Sequence, residues 1–163
     1  MSRRTGQRCR WRDGRPCQRS GARVQGEHMG IDAKDPVGKL AGRALVTVGE
    51  AVTLRSLARL MDEHDIGAVV VDRPDLPAGV VTERDVIRAL AEGADPDIVW
   101  APDVMSWDPV TIERDQSILR AALRSVDEGV RHLVVVDEGR PTGMVSARDL
   151  LQIVADDLLD EWS

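Results

Sequence analysis

Two short stretches carry the residue types that could bind a polar ligand, and one is a copy of the other. The stretch GVVTERDV begins at Gly79, and it returns at Gly143 as GMVSARDL, an offset of 64 residues. Each stretch runs from an apolar strand into a hydroxyl, an arginine and a carboxylate. These side chains are Thr82, Arg84 and Asp85 in the first copy and Ser146, Arg148 and Asp149 in the second.

The hydroxyl and the carboxylate, three residues apart, admit two interpretations. In the first, Thr82 and Ser146 are helix N-caps, and Asp85 and Asp149 complete capping boxes. In the second, the helix start binds an anion, because its free backbone N–H groups point outward. Two features favour the second: a capping box prefers Glu or Gln at its third position, and a cap gives no reason for an Arg beside both carboxylates. Hydroxyl, N–H groups and guanidinium suit a phosphate, and a carboxylate suits the paired hydroxyls of a ribose.

The elements that position these residues repeat as well. From residue 37 onward the chain aligns with itself at the offset of 64 without a gap, which indicates an internal duplication. In each copy a short strand leads into a helix with apolar residues at helical spacing, and AVVV or LVVV then marks a buried strand. A turn with Pro and Gly follows, and a last strand runs into the motif helix. Each copy therefore reads β, α, β, β, α, and the copies span residues 37–98 and 101–160.

One copy alone would leave the apolar face of its sheet exposed to water. We therefore expect an α+β fold in which the two copies pack sheet to sheet with pseudo-twofold symmetry. A chain of 163 residues can bury such a core without disulfides or metals. The chain has neither Phe nor Tyr, so the core must be built mostly from Val, Leu, Ile and Ala.

The first 30 residues differ from the rest in charge. They carry eight Arg against two acidic residues, a net charge of +6, whereas the other 133 residues carry 14 basic and 26 acidic side chains, a net −12. The segment has no helical or strand period, so we expect residues 1–30 to be a disordered, Arg-rich arm. The sequence favours a solvated arm, or a start at Met29, over an arm that associates with nucleic acid. Cys9 and Cys17 are too far apart for a zinc knuckle, so we expect reduced thiols and no metal.

Together these elements resemble the tandem cystathionine-β-synthase (CBS) domain pair, also called a Bateman module. The resemblance covers about three quarters of the chain, and it rests on GVVTERDV with GMVSARDL, on HDIGAVVVD with EGVRHLVVVD, and on the leading VTV and VTI. It implies a regulatory module that binds an adenosine-containing ligand in two clefts between the repeats. Such ligands include AMP, ADP, ATP, NAD and S-adenosylmethionine, and no other cofactor is required.

The resemblance also implies roles for single residues. In the family the motif Asp takes the ribose hydroxyls and the motif Thr or Ser faces phosphate or ribose, which assigns Asp85 with Thr82 to one cleft and Asp149 with Ser146 to the other. The base lies against backbone and apolar side chains of the partner repeat. The residues in question are Met105, Val110, Val130 and Arg131 in the first cleft and Ala41, Val46, Ile66 and Gly67 in the second.

Basic residues near the motif commonly meet phosphates in this family. Here they are Arg84, Arg148, Arg131 and His132. For Arg84 and Arg148 the alternative is a helix-surface residue paired with an acidic neighbour, and for His132 it is a packed strand residue. Because the first copy has Gly67 and Ala68 where the second has Arg131 and His132, we expect the two clefts to differ.

The sequence favours a binding module over an enzyme. No glycine fingerprint opens a helix, VGKLAGR lacks the spacing of a phosphate-binding loop, and no HExxH or GxSxG motif occurs. No run of about 18 apolar residues occurs, so we expect no membrane span and a cytoplasmic location. The resemblance further implies a homodimer through the helices, to which Leu119, Leu123 and the tail LLQIVADDLLDEW could contribute, and an unknown protein partner. The rival interpretation is a protein–protein interaction module whose clefts are vestigial.

Overall fold

The computed structural model describes residues 30–41, 45–73 and 78–161, with side chains described as far as residue 159. Most of the Arg-rich arm, with Cys9 and Cys17, lies outside these residues. A 3-10 turn at Val37–Lys39 precedes the first unit. The first unit contains β1 (Thr47–Val48), α1 (Leu54–His64), β2 (Ala68–Val71), β3 (Gly79–Thr82) and α2 (Glu83–Ala91). The second contains α3 (Ala101–Val104), β4 (Thr111–Glu113), α4 (Ile118–Asp127), β5 (His132–Asp137), β6 (Arg140–Ser146) and α5 (Ala147–Glu161).

Each unit forms a three-stranded sheet with the same topology. The strand orders are β1-β2-β3 and β4-β5-β6, with the first pair parallel and the second pair an antiparallel hairpin. The registers also correspond, because Ala68 pairs with Thr82 as His132 pairs with Ser146. The β, α, β, β, α order and the α+β class predicted from the sequence are therefore confirmed.

The first helix of each unit covers its sheet with an apolar stripe. Thr53 caps α1 by accepting a hydrogen bond from the backbone N–H of Ser56, and Ser117 caps α4 in the same way. The α1 stripe is Leu54, Leu57 and Met61, three or four residues apart. These side chains pack on the strands, so the helix is stabilised by the sheet that it covers.

The two sheets pack face to face, as the sequence predicts. The side chains buried between the sheets are small or β-branched, which suits strands covered on both faces. They are Ala68, Val70 and Val80 from the first unit and Val134 and Val136 from the second.

The segment before the first strand of each unit belongs to the core of the other unit. Val37 and Ala41 pack in the core of the second unit, and the backbone N–H of Gly38 donates to the carbonyl of Arg114 at 2.9 Å. Conversely, Ala101 and Met105 pack in the core of the first unit. The sequence repeats are thus interlocked rather than side by side.

Candidate functional site

The first motif occupies the junction of β3 and α2, and it forms a closed capping box. The backbone N–H of Thr82 donates to Asp85 Oδ2 at 2.9 Å, and the Thr82 hydroxyl donates to the same oxygen at 2.6 Å. The backbone N–H of Asp85 donates to Thr82 Oγ1 at 3.3 Å in return. Arg88 Nη1 lies 3.4 Å from the other carboxylate oxygen, Oδ1, which is a weak contact. The cap interpretation is correct for the first motif, and it engages mainly one oxygen of Asp85.

The second motif, at the junction of β6 and α5, is less closed. The Ser146 hydroxyl donates to Asp149 Oδ2 at 2.7 Å, and the backbone N–H of Asp149 donates to Ser146 Oγ at 3.2 Å. Within the described residues, no hydrogen bond joins the backbone N–H of Ser146 to Asp149, in contrast to the first motif. Asp149 is also exposed, whereas the Asp85 side chain is only 13% exposed. Asp149 is therefore the freer of the two carboxylates.

Glycines on the last strand of each sheet bring the two units together beside the motifs. A β carbon built on Gly143 would lie 2.7 Å from Ala41 Cβ, and one built on Gly79 would collide with the Met105 side chain. Backbone bonds between Ser106 and Val80, at 2.8 and 3.1 Å, extend the first sheet beyond β3. The family resemblance predicts Ala41 and Met105 as lining residues. Each packs against the motif strand of the other unit.

The remaining apolar residues predicted to line the clefts lie at strand starts. The carbonyls of Val46 and Val110 accept from the backbone N–H groups of Val70 and Val134 at 3.1 and 3.0 Å. Val46 and Ile66 pack partly buried against the core of the first unit, as Val110 and Val130 do in the second. Their placement corresponds between the two units.

Gly67 and Arg131 lie at the foot of the motif helix of their own unit. The Gly67 carbonyl accepts from the backbone N–H of Glu83 at 3.0 Å, and the Arg131 carbonyl accepts from that of Ala147 at 2.8 Å. Of the predicted basic residues, Arg84, Arg131 and Arg148 have exposed side chains. Among the described residues none of these three arginines forms an ion pair, and Arg84 and Arg148 lie on the surface of α2 and α5.

His132 reaches across the boundary between the units. A β carbon built on Gly67 would lie 3.1 Å from both Cε1 and Nε2 of the His132 ring and 3.3 Å from Glu83 Oε2. Burial lowers the pKa of His132 below its ordinary value; the carboxylates of Glu83 and Asp149 oppose this shift, and Arg131 adds to it. Burial thus favours the neutral form of His132, which lies near carboxylates of both motif helices. The sequence analysis did not include Glu83 among the site residues. The available signal was a difference between the copies, because the residue equivalent to Glu83 at the offset of 64 is the uncharged Ala147.

An open hollow lies at the far end of β5, away from both motifs. Its lining includes Glu113, Glu138 and the ion pair of Arg114 with Asp137, in which Nη1 and Oδ2 are 2.8 Å apart. The pair is solvated, and no motif residue reaches the hollow. We therefore assign the functional site to the motif helices and not to this hollow.

The described residues contain neither a clustered metal site nor a membrane-spanning helix. No group of three or more His, Cys, Asp or Glu side chains is arranged to hold a metal ion there. Within the same residues, no helix has the length and apolar character needed to cross a bilayer.

Interlocked β-α-β-β-α repeats with a hydroxyl and carboxylate pair at each motif helix define a duplicated, pseudo-twofold module. The CBS domain family matches residues 37–92 and 101–156, so the chain belongs to this family as a tandem pair. The resemblance to a tandem CBS domain pair, which rests on the two motif copies, is confirmed.

Relatives and solved structures agree with this assignment. The chain is 41% identical to an uncharacterised protein of Methanopyrus kandleri over 120 residues, which are 72% of this chain and 61% of the relative, so it spans less than two thirds of that protein's length. It superposes on a CBS-domain protein of Agrobacterium tumefaciens with a TM-score of 0.66 and 30% identity, covering 72% of this chain and 97% of the other. It also superposes on a CBS domain protein of Pyrobaculum aerophilum complexed with AMP, with a TM-score of 0.67 and 31% identity, covering 77% and 96%.

Proposed function

We propose that this chain is a regulatory module that binds adenosine-containing nucleotides in clefts between its two CBS repeats and catalyses no reaction. The observation that carries the proposal is the duplicated pair of hydroxyl and carboxylate at the start of α2 and α5, beside the place where the units interlock. The 31% identical protein of Pyrobaculum aerophilum, complexed with AMP, supports the same ligand class.

Each part of an adenosine nucleotide has candidate contacts in this arrangement. Asp85 and Asp149 bind the ribose hydroxyls, and Thr82 and Ser146 face the ribose or the phosphate. Phosphates are met by basic side chains near the motif helices, namely Arg84, Arg131, His132 and Arg148. The base lies against apolar or small residues, namely Ala41, Val46, Ile66, Gly67, Met105, Val110 and Val130.

The capping bonds are compatible with ligand binding at both motifs. Asp85 uses Oδ2 for the cap, and among the described residues its Oδ1 has only the long contact to Arg88. A ribose hydroxyl can therefore donate to Oδ1 without breaking the cap. Asp149 is exposed and is bound only by the Ser146 hydroxyl among the described side chains, so it can turn toward a ligand more freely.

A ligand that touches both units would regulate by favouring one angle between them. It can do so only to the extent that it binds one arrangement more tightly than another. A homodimer in the cytoplasm, which presents this angle to a protein partner, is part of the proposal. Exposed side chains available for a helical dimer face are Leu119, Leu123, Val126, Leu151 and Leu158.

A thermal-shift screen of the full chain tests the proposal. The probes are AMP, ADP, ATP, NAD and S-adenosylmethionine, with GMP and inorganic phosphate as controls for the base and the charge. A ligand present at 100 times its dissociation constant stabilises the folded state by about 2.7 kcal/mol. We expect at least one adenosine ligand to raise the melting temperature while inorganic phosphate does not. No shift with any adenosine ligand contradicts the proposal.

One observation favours a second candidate, an interaction module with vestigial clefts. The capping box of Thr82 and Asp85 is complete, so the first motif has a structural role whether or not a ligand binds. This candidate predicts that the protein purifies without a small molecule. Mass spectrometry of the denatured, freshly purified chain separates the two, because a bound adenosine ligand is released and identified.

A further inference from the structure

His132 is a side chain that contacts the surroundings of both motifs. In the β5–β6 hairpin it lies directly opposite Ser146, the hydroxyl of the second motif. Its ring extends to Gly67 and Glu83 of the first unit, where Glu83 is the first residue of the first motif helix. The ring is half-buried. A change in charge at either motif helix therefore changes the electrostatic potential at the same imidazole.

Glu83 and His132 both lie beside Gly67, within 3.3 Å of the position a β carbon would take there, and this arrangement has no counterpart on the other side of the pseudo-twofold axis. At the offset of 64, Ala68 occupies the place of His132, and Ala147 occupies the place of Glu83. Gly67 makes room for the ring, since a β carbon there would lie only 3.1 Å from Nε2. Three differences between the copies thus place a carboxylate and an imidazole side by side next to Gly67 at the boundary of the units.

The charges around His132 are on balance negative, which opposes a phosphate group. The groups that face His132 are the carboxylates of Glu83 and Asp149 and the guanidinium of Arg131. Because burial favours the neutral ring, the imidazole itself does not offset the negative charge of Glu83 at neutral pH. An anion that approaches the start of α2 is attracted by the helix N-terminus and repelled by this carboxylate. When the ring takes up a proton, its positive charge offsets that of the Glu83 carboxylate and attracts the anion.

We propose that the Glu83–His132 pair determines ligand specificity, disfavouring adenosine ligands with added phosphate groups at neutral pH and admitting them as the pH falls. This inference rests on the proposed function, and it goes further by naming the ligand property that the site discriminates. Adenosine itself, which has no phosphate, is the reference ligand. The quantity that reports the pair is the ratio of ATP affinity to adenosine affinity.

Isosteric replacements on one helix test the carboxylate. Glu83→Gln removes the charge at the start of α2, and Glu92→Gln removes one at the end of the same helix, where Glu92 is exposed. Calorimetry of the full chain at pH 7.5 is expected to show the ATP-to-adenosine affinity ratio rising about threefold to tenfold in Glu83→Gln, the size of a partly screened charge pair. The ratio in Glu92→Gln is expected to match the wild type. Equal ratios in both variants overturn the inference.

The imidazole is tested through pH. As the pH falls from 7.5 to 5.5, the affinity ratio of the wild type is expected to rise, and the rise is expected to be smaller in His132→Gln. His64→Gln is the control, because His64 is exposed at the end of α1, and it also corrects for titration of the phosphates themselves. Identical pH profiles of His132→Gln and His64→Gln overturn the inference. If the wild type binds none of adenosine, AMP, ADP, ATP, NAD and S-adenosylmethionine, the proposed function fails together with the inference. Binding with an unaltered ratio, or binding of another of these ligands without measurable affinity for adenosine and ATP, overturns the inference alone.

Discussion

Gly143 and Ala41 touch across the boundary of the two repeats, with 2.7 Å between Ala41 Cβ and a β carbon built on the glycine. Gly79 and Met105 form the corresponding contact at the offset of 64. In each unit, the segment that precedes the first strand thus packs closely against a glycine on the motif strand of the other unit. This pair of contacts explains why both copies of the motif begin with Gly.

Replacing the two glycines with Ala should destabilise the protein unequally. Gly143→Ala meets Ala41, including its carbonyl oxygen at 2.9 Å, and backbone cannot move aside easily. Gly79→Ala meets the flexible end of Met105, which can adopt another rotamer. We expect a loss of about 1–3 kcal/mol for Gly143→Ala, as for other overpacked sites, and a smaller loss for Gly79→Ala. Urea unfolding measures both, and a larger loss for Gly79→Ala would contradict the interlocked packing.

The two motif carboxylates should differ in their effect on stability. Asp85 accepts hydrogen bonds from the backbone N–H and the hydroxyl of Thr82, whereas Asp149 is bound by the Ser146 hydroxyl. Asp85→Ala should therefore lower the free energy of unfolding by about 0.5–2 kcal/mol, the usual contribution of a cap, and Asp149→Ala by less. The control is Asp115→Ala, an exposed turn residue. Thermal unfolding without ligand measures the stability loss of each variant. Equal losses for Asp85→Ala and Asp149→Ala would show that the additional capping bonds of Asp85 do not contribute to the free energy of unfolding.

Two ion pairs occupy equivalent places with their charges exchanged, and they should differ in strength. Arg73 pairs with Glu50 in the first unit, and in the second unit Arg114 pairs with Asp137. The Arg73 side chain is 10% exposed and lies 4.2 Å from the ring centroid of Trp107, whereas the Arg114 side chain is 56% exposed.

Burial and the cation–π contact make Arg73 the stronger partner. Arg73→Ala should cost about 1–2 kcal/mol, and Arg114→Ala about 0–1 kcal/mol, the range for an exposed pair. Chemical denaturation in low and high salt distinguishes the pairs, because added salt should weaken mainly the exposed one. A greater cost for Arg114→Ala would contradict the packing around Arg73.

The pH dependence of stability should contain a contribution from His132. Its pKa is lowered in the folded protein, mainly by burial, so the unfolded chain binds the proton more readily. Stability should therefore fall as the pH drops through about 6.5, where an unperturbed His titrates, and the loss should stop below the folded pKa.

His132→Gln should flatten this part of the profile, whereas His64→Gln should leave it unchanged. Denaturant midpoints measured from pH 7.5 to 5 provide the comparison. The pKa values of Asp35 and Asp97 are also lowered, mainly by hydrogen bonds from Lys39 and Arg55 respectively. These carboxyl groups change the stability only at more acidic pH, outside the range in which His132 titrates. A slope that persists in His132→Gln would contradict this assignment.

The fold could be predicted largely because its repeat is visible in the residues. The motif helices, the hairpins and the sheet-to-sheet packing follow from local patterns such as AVVV, LVVV and the N-cap hydroxyls of Thr82 and Ser146. The residue patterns alone did not predict the interlocking of the units, and only the family resemblance placed Ala41 and Met105 beside the other repeat. The 3-10 turn at Val37–Lys39 and α3 are too short for any periodicity, and their positions depend on contacts with residues far along the chain. The identical Gly79 and Gly143 inside strands were the available signal.

The candidate site could be predicted only in part for a similar reason. The motif residues are marked by type and spacing, but the direction of a carboxylate is decided by hydrogen bonds that spacing alone does not fix. The proximity of His132 to Glu83 depends on a side chain that crosses between units. Comparing the two copies position by position, where Glu83 stands against Ala147, would have indicated it.

Titration calorimetry of AMP into the wild type and into Asp85→Ala, Asp149→Ala and the double variant tests most directly whether the motif carboxylates bind a ribose. Each single replacement should weaken its own site about tenfold to a hundredfold, the size of hydrogen bonds to a charged group, and the double variant should lose measurable binding. Asp115→Ala should bind as the wild type does. AMP binding of wild-type strength in a folded double variant would contradict the account.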